Sequence, residues 1–130
     1  SFIFDVPVIL TNNLFWEFTT WSEKDSSLPK MIRDKEKKEF LTRNQYLELR
    51  KNGAFTVENI DPRYELIDNS SEEILDAVKN KIQEIDNDNF VSSISQSKFK
   101  NGFNQNYFIH HTKSKIDDSY YKKNRHFLEN

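Results

Sequence analysis

The stretch Tyr64-Glu-Leu-Ile-Asp-Asn-Ser-Ser-Glu-Glu-Ile-Leu-Asp-Ala-Val-Lys-Asn-Lys-Ile constrains this chain more than any other part of it. A short run of strand character passes into a polar turn, and an amphipathic run follows at once. A short side-chain oxygen at such a turn accepts an orphan amide of the first helical turn. Ser70 with Glu73 has the capping-box spacing, and Asn69 with Glu72 repeats it one residue earlier. Glu72, Glu73 and Asp76 put negative charge near the positive end of the helix dipole. Ile74, Leu75, Val78, Ile82 and Ile85 recur at helical spacing and form one apolar stripe. The pattern predicts a strand over residues 64–67 and a helix over residues 71–85.

A second capping box, Thr42 with Gln45, predicts a helix over residues 43–51. Tyr46, Leu47 and Leu49 are its apolar positions, and Asn52-Gly53 suits its end. Ahead of it, Met31-Ile32 and Phe40-Leu41 flank a charged tip at residues 34–39, the pattern of two extended pieces joined by a solvated turn. Near the start, an apolar, β-branched run predicts a buried strand over residues 6–11, of the kind found in parallel sheets. Pro7 suits the first residue of that strand, and Asn12-Asn13 ends it. Later signals are weaker. Phe90, Val91, Ile94 and Phe99 suit a helix that Asn101-Gly102 breaks, residues 106–111 suit either an extended piece or a helix start, and residues 116–128 suit a helix. Strand, helix, strand, helix is the alternation of an α/β sheet.

A chain of 130 residues amounts to one domain. Its formal net charge of -2 gives no general attraction to nucleic acid or to an anionic surface, so no nucleic-acid partner is expected. Cysteine is absent, which leaves neither a disulfide framework nor a thiolate zinc site and fits a cytoplasmic chain. No apolar run approaches the ~20 residues needed to span a bilayer. The chain opens on Ser1 and enters a strand-like run at once, which leads us to expect that residues have been lost before it.

In an open α/β sheet, ligands collect beyond the carboxyl ends of the strands. Thr11 and Asn12 stand at such an end and are candidate substrate-binding residues. Lys30, beside Pro29, is a third, because its ammonium can meet a phosphate oxygen. Arg33 has the same capacity but reads more simply as part of a solvated loop. Phe15, Trp16, Phe18 and Trp21 suit either a stacking wall or a segment folded onto the core. Asp86-Asn87-Asp88 has the Asp-x-Asp form of some divalent-cation sites, yet it follows a helix end and reads as a polar exit. His110, His111 and His126 have no metal-ligand spacing, so no metal is expected. With two glycines in the chain, a Gly-rich phosphate cradle is excluded, and catalytic residues stay unassigned.

Several segments together carry a family resemblance. Phe4-Asp-Val-Pro-Val-Ile-Leu-Thr-Asn resembles a strand of bacterial glycosyltransferases built from two Rossmann-like domains. The order of Leu28-Pro-Lys, Glu39-Phe-Leu-Thr, Glu65-Leu-Ile-Asp-Asn-Ser-Ser-Glu-Glu-Ile and Ile116-Asp-Asp-Ser-Tyr-Tyr-Lys-Lys-Asn-Arg-His-Phe-Leu is similar to that of glycosyltransferases encoded with surface-polysaccharide genes. The resemblance implies a partial Rossmann-like half with short parallel strands, packed helices and a helical carboxyl terminus. Residues 1–130 would form a single, incomplete carboxyl-terminal domain of the nucleotide-sugar-binding type. It implies a nucleotide-sugar donor, a glycan acceptor, no covalently bound cofactor, and peripheral membrane association of the full-length enzyme. The chain departs from the pattern in lacking an amino-terminal domain and a clear donor-contacting Glu. The rival expectation is a small non-catalytic interaction domain using its aromatic segment. A metal-dependent hydrolase using Asp86, Asp88 and the histidines ranks last.

Overall fold

The structure is a computed structural model describing residues 6–130, apart from Val57, Asn106 and the side chain of Phe108. The opening residues Phe2 to Asp5 of the strand-like run therefore lie outside the described residues, as does Asn106. The chain is mixed α/β, consistent with a partial Rossmann-like half. Strands β1 (Ile9–Asn13), β2 (Ser26–Pro29) and β6 (Lys115–Ile116) form a parallel sheet in the order β1-β2-β6. Strands β3 (Met31–Asp34), β4 (Glu39–Phe40) and β5 (Tyr64–Ile67) form an antiparallel sheet in the order β4-β3-β5. Helices α1 (Arg43–Lys51), α2 (Ser71–Asp86), α3 (Ser97–Lys100), α4 (Asp118–Lys123) and α5 (Arg125–Glu129) pack around them, and a 3-10 turn covers Phe108–His111. Among the described residues no helix is long and apolar enough to cross a membrane.

Where the signal was local, the expected elements form. Both capping boxes close in both directions, Thr42 with Gln45 and Ser70 with Glu73. The charged tip becomes the turn of the β3–β4 hairpin, fastened by Asp34. Its Oδ1 accepts the amides of Glu36 and Lys37 at 3.0 and 3.2 Å, and Arg63 grips both of its oxygens at 3.0 and 2.9 Å. That guanidinium holds the Asp34 carboxyl below its ordinary value.

Long-range placement differs from expectation at several points. The first strand begins later than residue 6 and is half-buried at the sheet edge, because its only described neighbour is β2. β5 joins the antiparallel sheet beside β3 and not the parallel one. Ile116 opens no helix: it lies in β6, and Asp117 caps α4 after it. The expected helix around Phe90 and Val91 shrinks to α3, since Ser92 and Ser93 are tied to Asp118 in an irregular loop.

The largest correction concerns α2. Its apolar stripe does not face the core: Leu75, Val78, Ile82 and Ile85 are exposed, and only Ile74 packs inward. Ala77 and Lys81 are the buried residues instead. Two fastenings account for this rotation. Asn69 anchors the start of the helix to β1, and Lys81 at its far end reaches the carbonyl of Lys24 at 2.6 Å. The small side chain of Ala77 lets the helix approach β1 and β2 closely. Leucine at Ala77 is therefore expected to overpack and cost about 1–3 kcal/mol. Glutamate at Ile82 is expected to stay within about 0.5 kcal/mol of the parent. Urea titration of Ala77→Leu and Ile82→Glu reads both, and the reverse ranking would mean the stripe is the inward face after all.

Candidate functional site

The three candidate residues from the sequence meet at the carboxyl ends of β1 and β2. Leu10 pairs with Ser27 and Asn13 with Pro29, so β1 carries one more residue than β2 between those pairs. This bulge gives Asn12 a φ of 53°, a left-handed conformation that asparagine tolerates better than most side chains. Its amide donates to Asn69 Oδ1 at 2.5 Å, and the Asn69 amide donates to Asn12 Oδ1 at 2.7 Å. Asn69 Nδ2 and the Tyr120 hydroxyl both donate to the carbonyl of Pro29. Burial, and then the neighbouring Glu73, push the Tyr120 phenol well above its ordinary value, so it stays a donor. Thr11 is half-buried beside this clasp.

Lys30 is the joint between the two sheets. Its amide donates to Asn13 O at 2.8 Å, and its carbonyl accepts Trp16 Nε1 at 2.8 Å. Its ammonium lies 2.8 Å from Asp68, whose side chain is 74% exposed. An ion pair that wet is worth about 0–1 kcal/mol, so an incoming anion can displace Asp68. The first turn of α2 stands at the same edge, with Glu73 held by Ser70 and by Lys123 at 3.2 Å. Two recesses of about 260 and 170 Å³ lie beside Glu73, Tyr120 and Lys123, and neither is lined by Thr11, Asn12 or Lys30. Carboxylates outnumber ammoniums around them, and Lys123 is the ammonium that lines both.

The other candidates are placed elsewhere. Arg33 lies in the antiparallel sheet, 3.7 Å from Glu65. The aromatic segment divides: Phe15 and Trp16 are core, while Phe18 and Trp21 are exposed. Asp86 and Asp88 are exposed around Asn87, which caps the end of α2. His110 Nε2 lies 3.0 Å from the Phe103 carbonyl, and His111 and His126 are exposed. Among the described residues no group of three or more His, Asp or Glu side chains converges to hold a metal.

Asn69 and Tyr120 were not singled out for this edge. Asn69 had a signal, since it duplicates the cap that Ser70 already supplies, and a redundant cap is free for other work. Tyr120 had none. The clasp makes a test. Asn12→Ala loses both the tolerated conformation and the acceptor for Asn69, and is expected to cost about 2 kcal/mol. Asn12→Gly relieves the backbone but not the lost acceptor and should recover roughly half of that. Equal thermal stabilities for the two variants would remove the bulge from the explanation.

The arrangement can bind and orient. Comparison with protein-family models, with curated proteins and with solved structures finds no match in any of the three.

Proposed function

We propose that this chain is the donor-side, carboxyl-terminal part of a glycosyltransferase that moves a sugar from a nucleotide-sugar donor to a surface glycan. The observation that carries the reading is a parallel sheet whose carboxyl ends gather Thr11, Asn12 and Lys30 beside the first turn of α2. Open α/β sheets hold ligands at that edge. Lys30 offers its ammonium to a donor phosphate, and the Asn12–Asn69 clasp fixes the backbone that shapes the edge. The acceptor and the catalytic base belong to the other domain of such an enzyme.

The test is thermal unfolding of the full-length protein against UDP- and GDP-sugars. A donor at one hundred times its Kd is expected to add about 2.7 kcal/mol of stability. Lys30→Gln is expected to weaken donor binding about tenfold while leaving the unliganded protein within about 1 kcal/mol of the parent. Asn12→Ala is the poorer probe, since it also disturbs the fold. A parent protein that shifts with no donor sinks the reading.

A second reading, a non-catalytic interaction domain, is favoured by one observation. The stripe Leu75, Val78, Ile82 and Ile85 is exposed on a single helix face, and contiguous apolar surface of that kind commonly marks an interface. Ile82→Glu separates the two readings, because it disrupts a docking face and leaves the edge at Lys30 untouched.

A further inference from the structure

Two vacancies stand side by side at the open end of the parallel sheet. The first is a strand edge. Along a strand in a parallel ladder, successive peptide groups point to alternate sides. Ser26 donates to the Val8 carbonyl at 2.9 Å, and the register sets Ile9 opposite Ser26 and Leu10 opposite Ser27. Leu10 therefore directs its peptide groups at β2, while Ile9 and Thr11 turn theirs outwards. Among the described residues no strand lies on that side of β1. A row of unpaired peptide groups is a template for another strand.

The second vacancy is the apolar flank of α2. Glu73 and Asn80 face α4, through Lys123 and through Asp117 with Ser119. Ala77 and Lys81 are the buried residues, on the side where α2 packs on β1 and β2. At about 100° per residue, Leu75, Val78, Ile82 and Ile85 occupy the flank opposite α4, which overhangs the open side of β1. All four are exposed, by 38% to 52%. Strands lie about 4.8 Å apart and helices pack about 8–10 Å apart. A helix covering this flank thus stands above the place of the next strand beside β1. Handedness gives the same answer, because neighbouring parallel strands are joined by right-handed crossovers in about 98% of cases. The connection from β2 to β6 carries α2 over one face of the sheet. A crossover reaching β1 from a strand on its open side travels in the same sense, so its helix lies on that same face, against the stripe. A second copy of the chain fits less well. A twofold axis through the middle of the stripe would set Lys79 beside its own equivalent and Glu72 opposite Asp86, all at exposed positions, and like charges repel.

We propose that a strand–helix unit of the same polypeptide, ahead of residue 1, completes this sheet. Its strand pairs in parallel with Ile9 and Thr11, and its helix buries Leu75, Val78, Ile82 and Ile85. The inference does not rest on the transferase reading, since both vacancies exist whatever the sheet binds. The test uses the full-length protein. The amides of Ile9 and Thr11 are expected to exchange at least about a hundredfold more slowly than an open strand edge, as the Leu10 amide does. Ile82→Glu is near-neutral where nothing covers the stripe. In the full-length protein it is expected to lower the Tm by more than about 5 °C, and Ile82→Leu should melt close to the parent. If Ile82→Glu does not fold, amide exchange of the parent decides. The proposal is overturned by Ile9 and Thr11 amides that exchange freely, or by an Ile82→Glu protein that melts like the parent. A reading frame with no strand–helix unit ahead of residue 1 also overturns it, as does a dimer that Ile82→Glu splits, which would seat a second copy there instead. Titration with UDP- and GDP-sugars is read separately, and its failure leaves each of these outcomes unchanged.

Discussion

Glutamine in place of Glu84 is expected to destabilise the protein by about 3–5 kcal/mol. Glu84 Oε1 lies 2.7 Å from Lys115 Nζ and Oε2 lies 2.8 Å from Lys81 Nζ, and those lysine side chains are only 8% and 6% exposed. Glutamine keeps the length of the side chain but removes the charge, and it turns an amide donor towards one of the ammoniums. The carbonyls of Lys24 and Phe90 would remain as acceptors, at 2.6 and 2.8 Å, but neither neutralises a cation. Lys81→Met is the comparison. It deletes one ammonium, keeps most of the volume and leaves Glu84 paired with Lys115, so it should cost much less. By contrast Lys123, 63% exposed and 3.2 Å from Glu73, is expected to matter by about 0–1 kcal/mol. Urea midpoints of Glu84→Gln, Lys81→Met and Lys123→Ala rank the three positions. A Glu84→Gln midpoint equal to the parent would show that water reaches these ammoniums, and the rotation of α2 would need another cause.

Removal of the Glu17 side chain is expected to cost a similar amount, about 3–5 kcal/mol. Glu17 is buried at the centre of a mixed cluster. Arg50 grips its Oε1 through Nε and Nη2, both at 2.8 Å, and the Tyr46 hydroxyl donates to its Oε2. Burial and then the Glu17 charge drive the Tyr46 phenol far above its ordinary value, so its proton stays in place for that bond. The same hydroxyl oxygen accepts the Trp16 amide at 3.2 Å, while the Trp16 ring stacks on Tyr46 at 4.7 Å. Arg50 also lies 4.2 Å over the Phe15 ring and donates to the Phe55 carbonyl. In Glu17→Ala the guanidinium and the phenol are left facing a cavity. Tyr46→Phe strands one carboxylate oxygen and one amide, and is expected to cost about 1–3 kcal/mol. The double variant should cost less than the sum, because each substitution destroys the same bond. Strict additivity in denaturant titrations would mean that the cluster does not act as a unit.

How much of this was legible in the sequence follows from the range of each interaction. The boxes at Thr42–Gln45 and Ser70–Glu73 act within a single turn, and both helix starts were readable from spacing. The β3–β4 hairpin was readable for the same reason, with its charged tip between apolar flanks. The partner of β5 was not, because a strand of half-buried residues carries no mark of the sheet it will join. The orientation of α2 was not legible, because Lys81 resembles any solvated lysine until Lys24, Glu84 and Lys115 are brought round it. At the candidate site, the place of Asn12 and Lys30 at strand ends could be inferred from strand position. Their engagement by Asn69 and Asp68 could not, since those residues arrive from beyond five and four intervening elements.

The path of the chain through Lys30 has a mechanical consequence. Residues 26–34 run as one ribbon that belongs to both sheets in turn, with Leu28 and Ile32 wholly enclosed on either side of the joint. Neither sheet can peel away while the other stays intact, because each would drag the shared ribbon with it. The two halves should therefore melt as one cooperative block, and the amide hydrogens along that ribbon should be among the last to trade with deuterium.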